Sequence, residues 1–205
     1  DRPGRRLDPP SAEDMAESLV ASGPNTLQLG GRAFDNVILH TFCADETVER
    51  CVVTVRRAAE RAGRDPNDVT IWSCYATVGD HIDAPLRLKK TVGRLATYLQ
   101  AYGDLMVTTN NWDPAVLVAF RADNMVRNIK GAIDAVATTA QLEHIATLLP
   151  AEWLASAANG SPEQCAAAVR RQMSLGANAV IMHGATPASY THLRAHETPE
   201  HHVCR

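Results

Sequence analysis

One segment limits the folds open to this chain more than any other. Asn36-Val37-Ile38-Leu39-His40-Thr41 is a compact apolar run of strand length, rich in branched residues and too short for a stable helix. From Asp45 the period changes. Val48, Cys51, Val52, Val55, Ala58, Ala59 and Ala62 recur at spacings that share one helical face, and Gly63 supplies the stop. Asp65-Pro66-Asn67 makes a turn, and Val69 to Val78 then gives the strongest strand signal in the chain. Strand, helix and strand in that order form a right-handed crossover unit, which commits the chain to a parallel sheet.

The same alternation flanks the unit on both sides. Upstream, Ser18-Leu19-Val20-Ala21 reads as a short strand broken by Ser22-Gly23-Pro24, and Leu27, Leu29 and Ala33 follow at helical spacing. Downstream, Ser161 and Gln164 bracket Pro162 as a capping box. That predicts a helix with Cys165, Val169 and Met173 inward and a stop at Gly176, followed by the buried strand Ala179 to Gly184. Between these units, residues 80 to 160 are helical. Leu88, Val92, Leu95, Leu99 and Tyr102 form a stripe ended by Gly103, Asp113-Pro114 opens another helix, and a third runs from about Thr139 to Leu149. The pattern is α/β, either an open doubly wound sheet or a β/α barrel, and period alone does not choose between them.

Composition closes off several classes of function. The chain has 205 residues, 45% hydrophobic and 21% charged, which is enough for an ordinary core and excludes a disordered tail. A formal net charge of -3, without a concentrated basic face, argues against nucleic acid as a partner. No apolar run is of membrane-spanning length, and the polar start Asp1 to Arg6 is no signal peptide, so a cytoplasmic protein with no membrane partner is expected. Cys43, Cys51, Cys74, Cys165 and Cys204 are odd in number and scattered, which predicts reduced, mostly buried thiols.

The last residues stand apart. His192, His196, His201 and His202 crowd into a stretch without apolar period or cap, and Ser189 to Thr198 back-translates to a sequence resembling the end of a transposase-type library adapter. The expectation is therefore that the natural sequence ends near Ala188, that 189–205 is a translated artefact, and that no metal site is present. The division expected is a poorly defined start over 1–17, one body over 18–188, and that tail.

In either α/β architecture, ligands gather at the C-terminal ends of parallel strands. Ser22-Gly23-Pro24-Asn25-Thr26 is one such end, with a glycine that admits a close ligand and a helix start whose amides suit a phosphate. His40-Thr41, Tyr75-Ala76-Thr77 and His183-Gly184 end the other strands. Asp80, His81 and Asp83 read as a solvated loop. Arg87, Lys89, Lys90 and Arg94 form a cationic stretch that would attract an anionic cofactor tail or substrate if its helix faced the strand ends, and a solvated face otherwise. Phosphate-loop, dinucleotide-fingerprint, nucleophile-elbow and zinc-protease motifs are all missing from the sequence.

Two stretches carry a family resemblance. Ser22-Gly23-Pro24-Asn25-Thr26-Leu27 running into Gly31-Arg32-Ala33-Phe34-Asp35-Asn36-Val37-Ile38 resembles the Gly-Pro-x-x-Leu-x-Leu-Ala-Gly-x-x-Ala-Asp-Gly-Val segment of luciferase-like monooxygenases. Gly160-Ser161-Pro162-Glu163-Gln164, leading through Gly176-Ala177-Asn178 to the last strand, is similar to that superfamily's Gly-Thr-Pro-Glu-Glu and Gly-Ala-Asp segments. Arg87 to Arg94 resembles the subgroup dependent on the deazaflavin coenzyme F420. Asn36 and Asn178 stand where Gly and Asp are common, and Glu17 and Ser18 are more polar than the family's first strand.

The resemblance implies the C-terminal half of a TIM-type barrel with a helical insertion before the last strand. It implies that Ala21, Ser22, Gly23, Pro24, Asn25 and Thr26 hold the phosphate-bearing tail of F420, and that His40, Thr41, Tyr75, Thr77 and His183 face the pocket. The activity implied is hydride transfer between F420 and a small organic substrate, in a protein whose barrels pair as homodimers. The alternatives are an FMN-dependent monooxygenase of the same fold and a non-catalytic barrel subunit or ligand-binding module. A half-barrel by itself is expected to be poorly soluble and inactive, because it exposes strand edges and an apolar face.

Overall fold

The computed structural model describes residues 16–184. The expectations for most of the 1–17 start and for the 189–205 tail lie outside them.

Four parallel strands make the main sheet: β1 (Ser18–Ala21), β2 (Asn36–Leu39), β3 (Thr70–Gly79) and, at the far side of β3, β5 (Ala179–His183). A short β4 (Ala158–Gly160) pairs in parallel with the end of β3, Thr77 opposite Ala158. Helices α1 (Pro24–Ala33) and α2 (Asp45–Arg61) cross between the first three strands, and α10 (Pro162–Ser174) leads into β5. The expected crossover unit is therefore present. Within it, β2 stops at Leu39, and His40 and Thr41 lie in the turn beyond, where Phe42 takes a left-handed φ of 61°.

The helices are held to one face of the sheet by small residues. A Cβ on Gly31 would lie 2.3 Å from the Val55 carbonyl oxygen, so only glycine lets α1 approach α2 this closely. Leu27, Val37, Leu39, Val48, Val55 and Ile71 fill this interface. Capping follows the sequence closely. Asp65 accepts from the Asn67 amide, Asp113 from Ala115, and both Thr138 with Gln141 and Ser161 with Gln164 close capping boxes.

Residues 84–154 form the helical excursion. It runs through α3 (Ala84–Leu88), a π-helical turn (Lys89–Gly93), α4 (Arg94–Asn110), α5 (Pro114–Ala122), α6 (Asn124–Asn128), α7 (Ile133–Val136), α8 (Thr139–Leu148) and α9 (Ala151–Leu154). It has a core of its own, including Leu95, Leu99, Phe120 and Ile145, with the Trp112 and Trp153 rings stacked at 4.5 Å. None of the helices in the described residues is long and apolar enough to cross a membrane.

Three local expectations are corrected. Gly103 does not end its helix: α4 kinks at Tyr102 (φ -130°, ψ 19°) and continues, and a Cβ on Gly103 would lie 2.7 Å from Leu117 Cδ1, so the glycine admits α5. Met173 is 50% exposed, and the inward position on α10 belongs to Gln172, which is fully buried. Ser73 Oγ donates to Gln172 Oε1 at 2.8 Å, and Gln172 Nε2 donates to Asp45 Oδ1 at 3.3 Å, so the buried amide is satisfied. Finally, β5 is half-buried rather than buried, because only its helix-facing side, with Val180 and Met182, is covered.

Candidate functional site

Strand parity sorts the end residues onto two faces. Side chains alternate along a strand, so Val37 and Leu39, which pack on α1 and α2, place Asn36 and Ile38 on the opposite, concave face. The registers Ile38 to Trp72, Trp72 to Ala179 and Ala76 to His183 carry that face across the sheet. His183 therefore ends β5 on the concave side, and His40 emerges from the end of β2, on the other side of β3.

Tyr75 and Thr77 belong to the other face. Tyr75 packs with Ala158 and Cys165 under α10, and burial pushes its phenol up to about 12, with the Asp45 carboxylate and Cys165 adding to the rise and Arg171 opposing it. Thr77 is buried with its hydroxyl donating to the Tyr75 carbonyl at 3.2 Å. These two expected pocket residues are thus turned into the helix layer. Their neighbours Cys74 and Ala76 take the concave side.

A residue that the sequence reading passed over stands at the middle of the rim. Tyr98, on α4, meets His40 edge to face at 5.5 Å, Phe42 at 5.4 Å and His183 at 6.0 Å, while Tyr102 lies 5.9 Å from His40. The signal was available: Lys90, Arg94, Tyr98 and Tyr102 recur every fourth residue and share one helix face. Burial raises the Tyr98 phenol above its ordinary range, so its Oη keeps its proton.

The two histidines are held differently. His40 Nδ1 lies 3.0 Å from the Thr41 carbonyl, an acceptor, so Nδ1 carries the hydrogen of that bond. Cys43 Sγ donates to the His40 carbonyl at 3.1 Å, and Asn110 fixes the turn by donating to the Phe42 carbonyl at 3.0 Å while accepting from the Ala44 amide at 2.8 Å. His183 is pushed below its ordinary value by burial first, then by the charges of Arg94 and His40, which keeps its ring neutral. Among the described residues, His183 Nδ1 and Thr41 Oγ1 are buried without a hydrogen-bond partner. Orphaned buried polar atoms are rare, and two on one rim fit a ligand that would complete them.

The β1 end is shaped for an anion. Gly23 caps α1 in an extended conformation with no side-chain bond, Pro24 occupies the first turn, and no acidic residue stands there. The first-turn amides, including those of Asn25 and Thr26, therefore lack intrahelical acceptors. A Cβ on Gly23 would meet nothing within 4 Å, so the glycine leaves open space rather than relieving a clash. Ser22 lines a small recess together with His40 and Thr41. Ser22, Gly23 and Pro24 also open onto a groove of about 810 Å³ whose walls carry both signs of charge, Arg50 and Arg57 with Glu46 and Glu49, so the anion preference rests on the helix start rather than on the groove. Ala21 itself is buried against the helices and offers only backbone.

The thiols are not poised for chemistry. Burial, first among the causes, raises Cys43 to about 12 and Cys51 to about 11, and Cys74 and Cys165 are raised as well. Asp83 spends its carboxylate capping α3 at the Leu86 amide, 2.7 Å away. Among the described residues no three His, Cys, Asp or Glu side chains converge as a metal would require.

Known structures identify the architecture. The coenzyme F420 dependent tetrahydromethanopterin reductase from Methanopyrus kandleri matches with a TM-score of 0.64 at 13% identity, over 88% of this chain and 48% of its own. An F420-dependent secondary alcohol dehydrogenase in complex with an F420-acetone adduct matches at 0.48 with 16% identity, over 80% and 42%. The long-chain alkane monooxygenase LadA matches at 0.45 with 11% identity, over 85% and 38%. The first match shows the fold, an α/β structure on a parallel sheet of the luciferase-like barrel kind. Residues 18–179 match the family described as luciferase-like monooxygenase, and the chain belongs to that family of oxidoreductases. It spans about half the length of the structures it resembles.

Proposed function

We propose that the protein carrying this chain is an F420-dependent oxidoreductase acting on a small organic substrate. The observation that carries the reading is the pair of orphaned atoms, Thr41 Oγ1 and His183 Nδ1, on a rim that also holds an uncapped helix start. When bound, the deazaflavin supplies a two-electron hydride donor or acceptor.

The residues present fit such a group. The backbone of Ser22 to Thr26 binds the phosphate-bearing tail, with Gly23 leaving room for it and the α1 dipole favouring its charge. Thr41 Oγ1 and His183 Nδ1 offer polar contacts to the ring or the substrate. Tyr98 closes the rim against water and holds a proton at Oη, while His40 Nε2 is oriented to receive one. Tyr75 and Thr77 support β3 from behind and touch neither partner.

The test is a pair of fluorescence titrations, F420 and FMN separately, on the protein expressed from its complete reading frame. Saturable F420 binding that is lost in Gly23→Val supports the reading. Retention of FMN alone moves the protein to the flavin-dependent monooxygenases, and binding of neither leaves a ligand-binding or partner-binding barrel.

A further inference from the structure

The cationic stretch from Arg87 to Arg94 is left unused by that reading, and the structure divides it. Arg87 lines a separate groove on the excursion with Leu88 and Glu143. Lys90 and Arg94 face the strand ends. Lys90 Nζ donates to the carbonyl of Gly184, the residue directly after His183, at 3.1 Å. One turn on, Arg94 Nε donates to Asp134 Oδ2 at 2.8 Å, and Thr97 Oγ1 donates to the other oxygen of the same carboxylate at 3.0 Å. That pairing locks the guanidinium plane while using one edge of its fork.

The charges do not cancel. Two cations face one carboxylate, which leaves a net positive charge beside a neutral His183. Among the described residues no carboxylate pairs with Lys90, and a half-buried ammonium held by one carbonyl retains donors to give. The field of Arg94 reaches both His183 and Tyr98, so the cations and the orphaned ring nitrogen address one region.

We propose that Lys90 and Arg94 bind the oxyanion of the substrate, a carboxylate or a phosphate ester, at the C-terminal end of β5. This rests on the reading that the strand ends hold cofactor and substrate, and it assigns them separate anion sites: the α1 start for the cofactor tail, the Lys90 and Arg94 pair for the substrate.

The experiment needs no cofactor. Inorganic phosphate, and in a second arm acetate, is titrated into the protein expressed from its complete reading frame, with the His183 ring and the Gly23, Asn25 and Thr26 amides followed by NMR. Saturable shifts of the His183 ring with either anion are expected, and phosphate alone would narrow the substrate to a phosphate ester. Lys90→Gln should weaken that binding by about tenfold, the value of one charge-assisted hydrogen bond, whereas Lys90→Arg should keep it. No saturable shift at His183, or equal binding by Lys90→Gln, overturns the proposal. Shifts confined to Gly23 to Thr26 also overturn it while leaving the cofactor reading intact. Shifts at His183 in a protein that binds neither F420 nor FMN support it and sink the cofactor reading instead.

Discussion

The excursion and the sheet solve the problem of burial in opposite ways. Residues 84–154 close on themselves around Leu95, Leu99, Phe120, Ile145 and the stacked Trp112 and Trp153. The sheet is covered along its helix side, while on its concave side the excursion covers the end of β3 at Ala76 and leaves Val20 60% and Ile181 38% exposed. Close packing makes every side chain of the first region expensive to change, whereas the second keeps polar groups such as His183 Nδ1 ready for something else. Stability and chemistry are thus assigned to different surfaces of one chain.

The most severe way to break this contrast is to hollow out the excursion. Trp153→Ala should cost about 3–5 kcal/mol in urea unfolding of the protein expressed from its complete reading frame, because it removes a buried indole and leaves Trp112 without its stacking partner. A loss below about 1 kcal/mol would mean that the core is not closed. A smaller effect separates two glycines on one helix. Gly31→Ala should cost about 1–3 kcal/mol, because its Cβ would strike the Val55 carbonyl, whereas Gly23→Ala should leave stability within about 0.5 kcal/mol and show itself only in weaker cofactor titrations.

A third effect is smaller and depends on pH. His144 Nε2 bonds to Asp123 Oδ2 at 2.9 Å and holds that carboxyl below its ordinary range, while Asp123 also caps α6 through the Met125 and Val126 amides. A depressed folded value stabilises above the unfolded pKa of about 3.9 and is lost as the pH falls through the folded one. His144→Ala should therefore cost under about 1 kcal/mol near neutrality, with the difference from wild type vanishing at the acid end of a pH series of unfolding curves. Least of all, Val20→Thr should shift stability by no more than about 0.5 kcal/mol, and a larger loss in the isolated chain would show that its concave face is covered.

What the sequence made legible was local. The capping box at Ser161, the prolines at helix starts and the apolar period of α2 are fixed by neighbours within a turn, and the structure keeps them all. Tyr75 and Thr77 were not legible as helix-facing, because β3 carries apolar residues on both faces, Ile71 and Tyr75 on one and Trp72, Cys74 and Ala76 on the other, so its residue types show no alternation from which to read parity. Gln172 was passed over for Met173 because a buried amide looks polar until its partners Ser73 and Asp45 are placed. For Tyr98 the fourth-residue repeat with Lys90, Arg94 and Tyr102 gave the helix face, but that this face meets the strand ends is set by the packing of α4 over them.

The π turn at Lys89–Gly93 has a consequence for the division of labour along that helix. Each residue of an α-helix advances the side-chain direction by about 100°, so one extra residue in a turn re-aims everything before it relative to everything after. The residues before the turn are set on one dial and those from Arg94 onward on another. Across that change Val92 in the turn and Leu95 beyond it are both seated in the excursion, while Lys90 in the turn and Tyr98 beyond it both look out over the sheet.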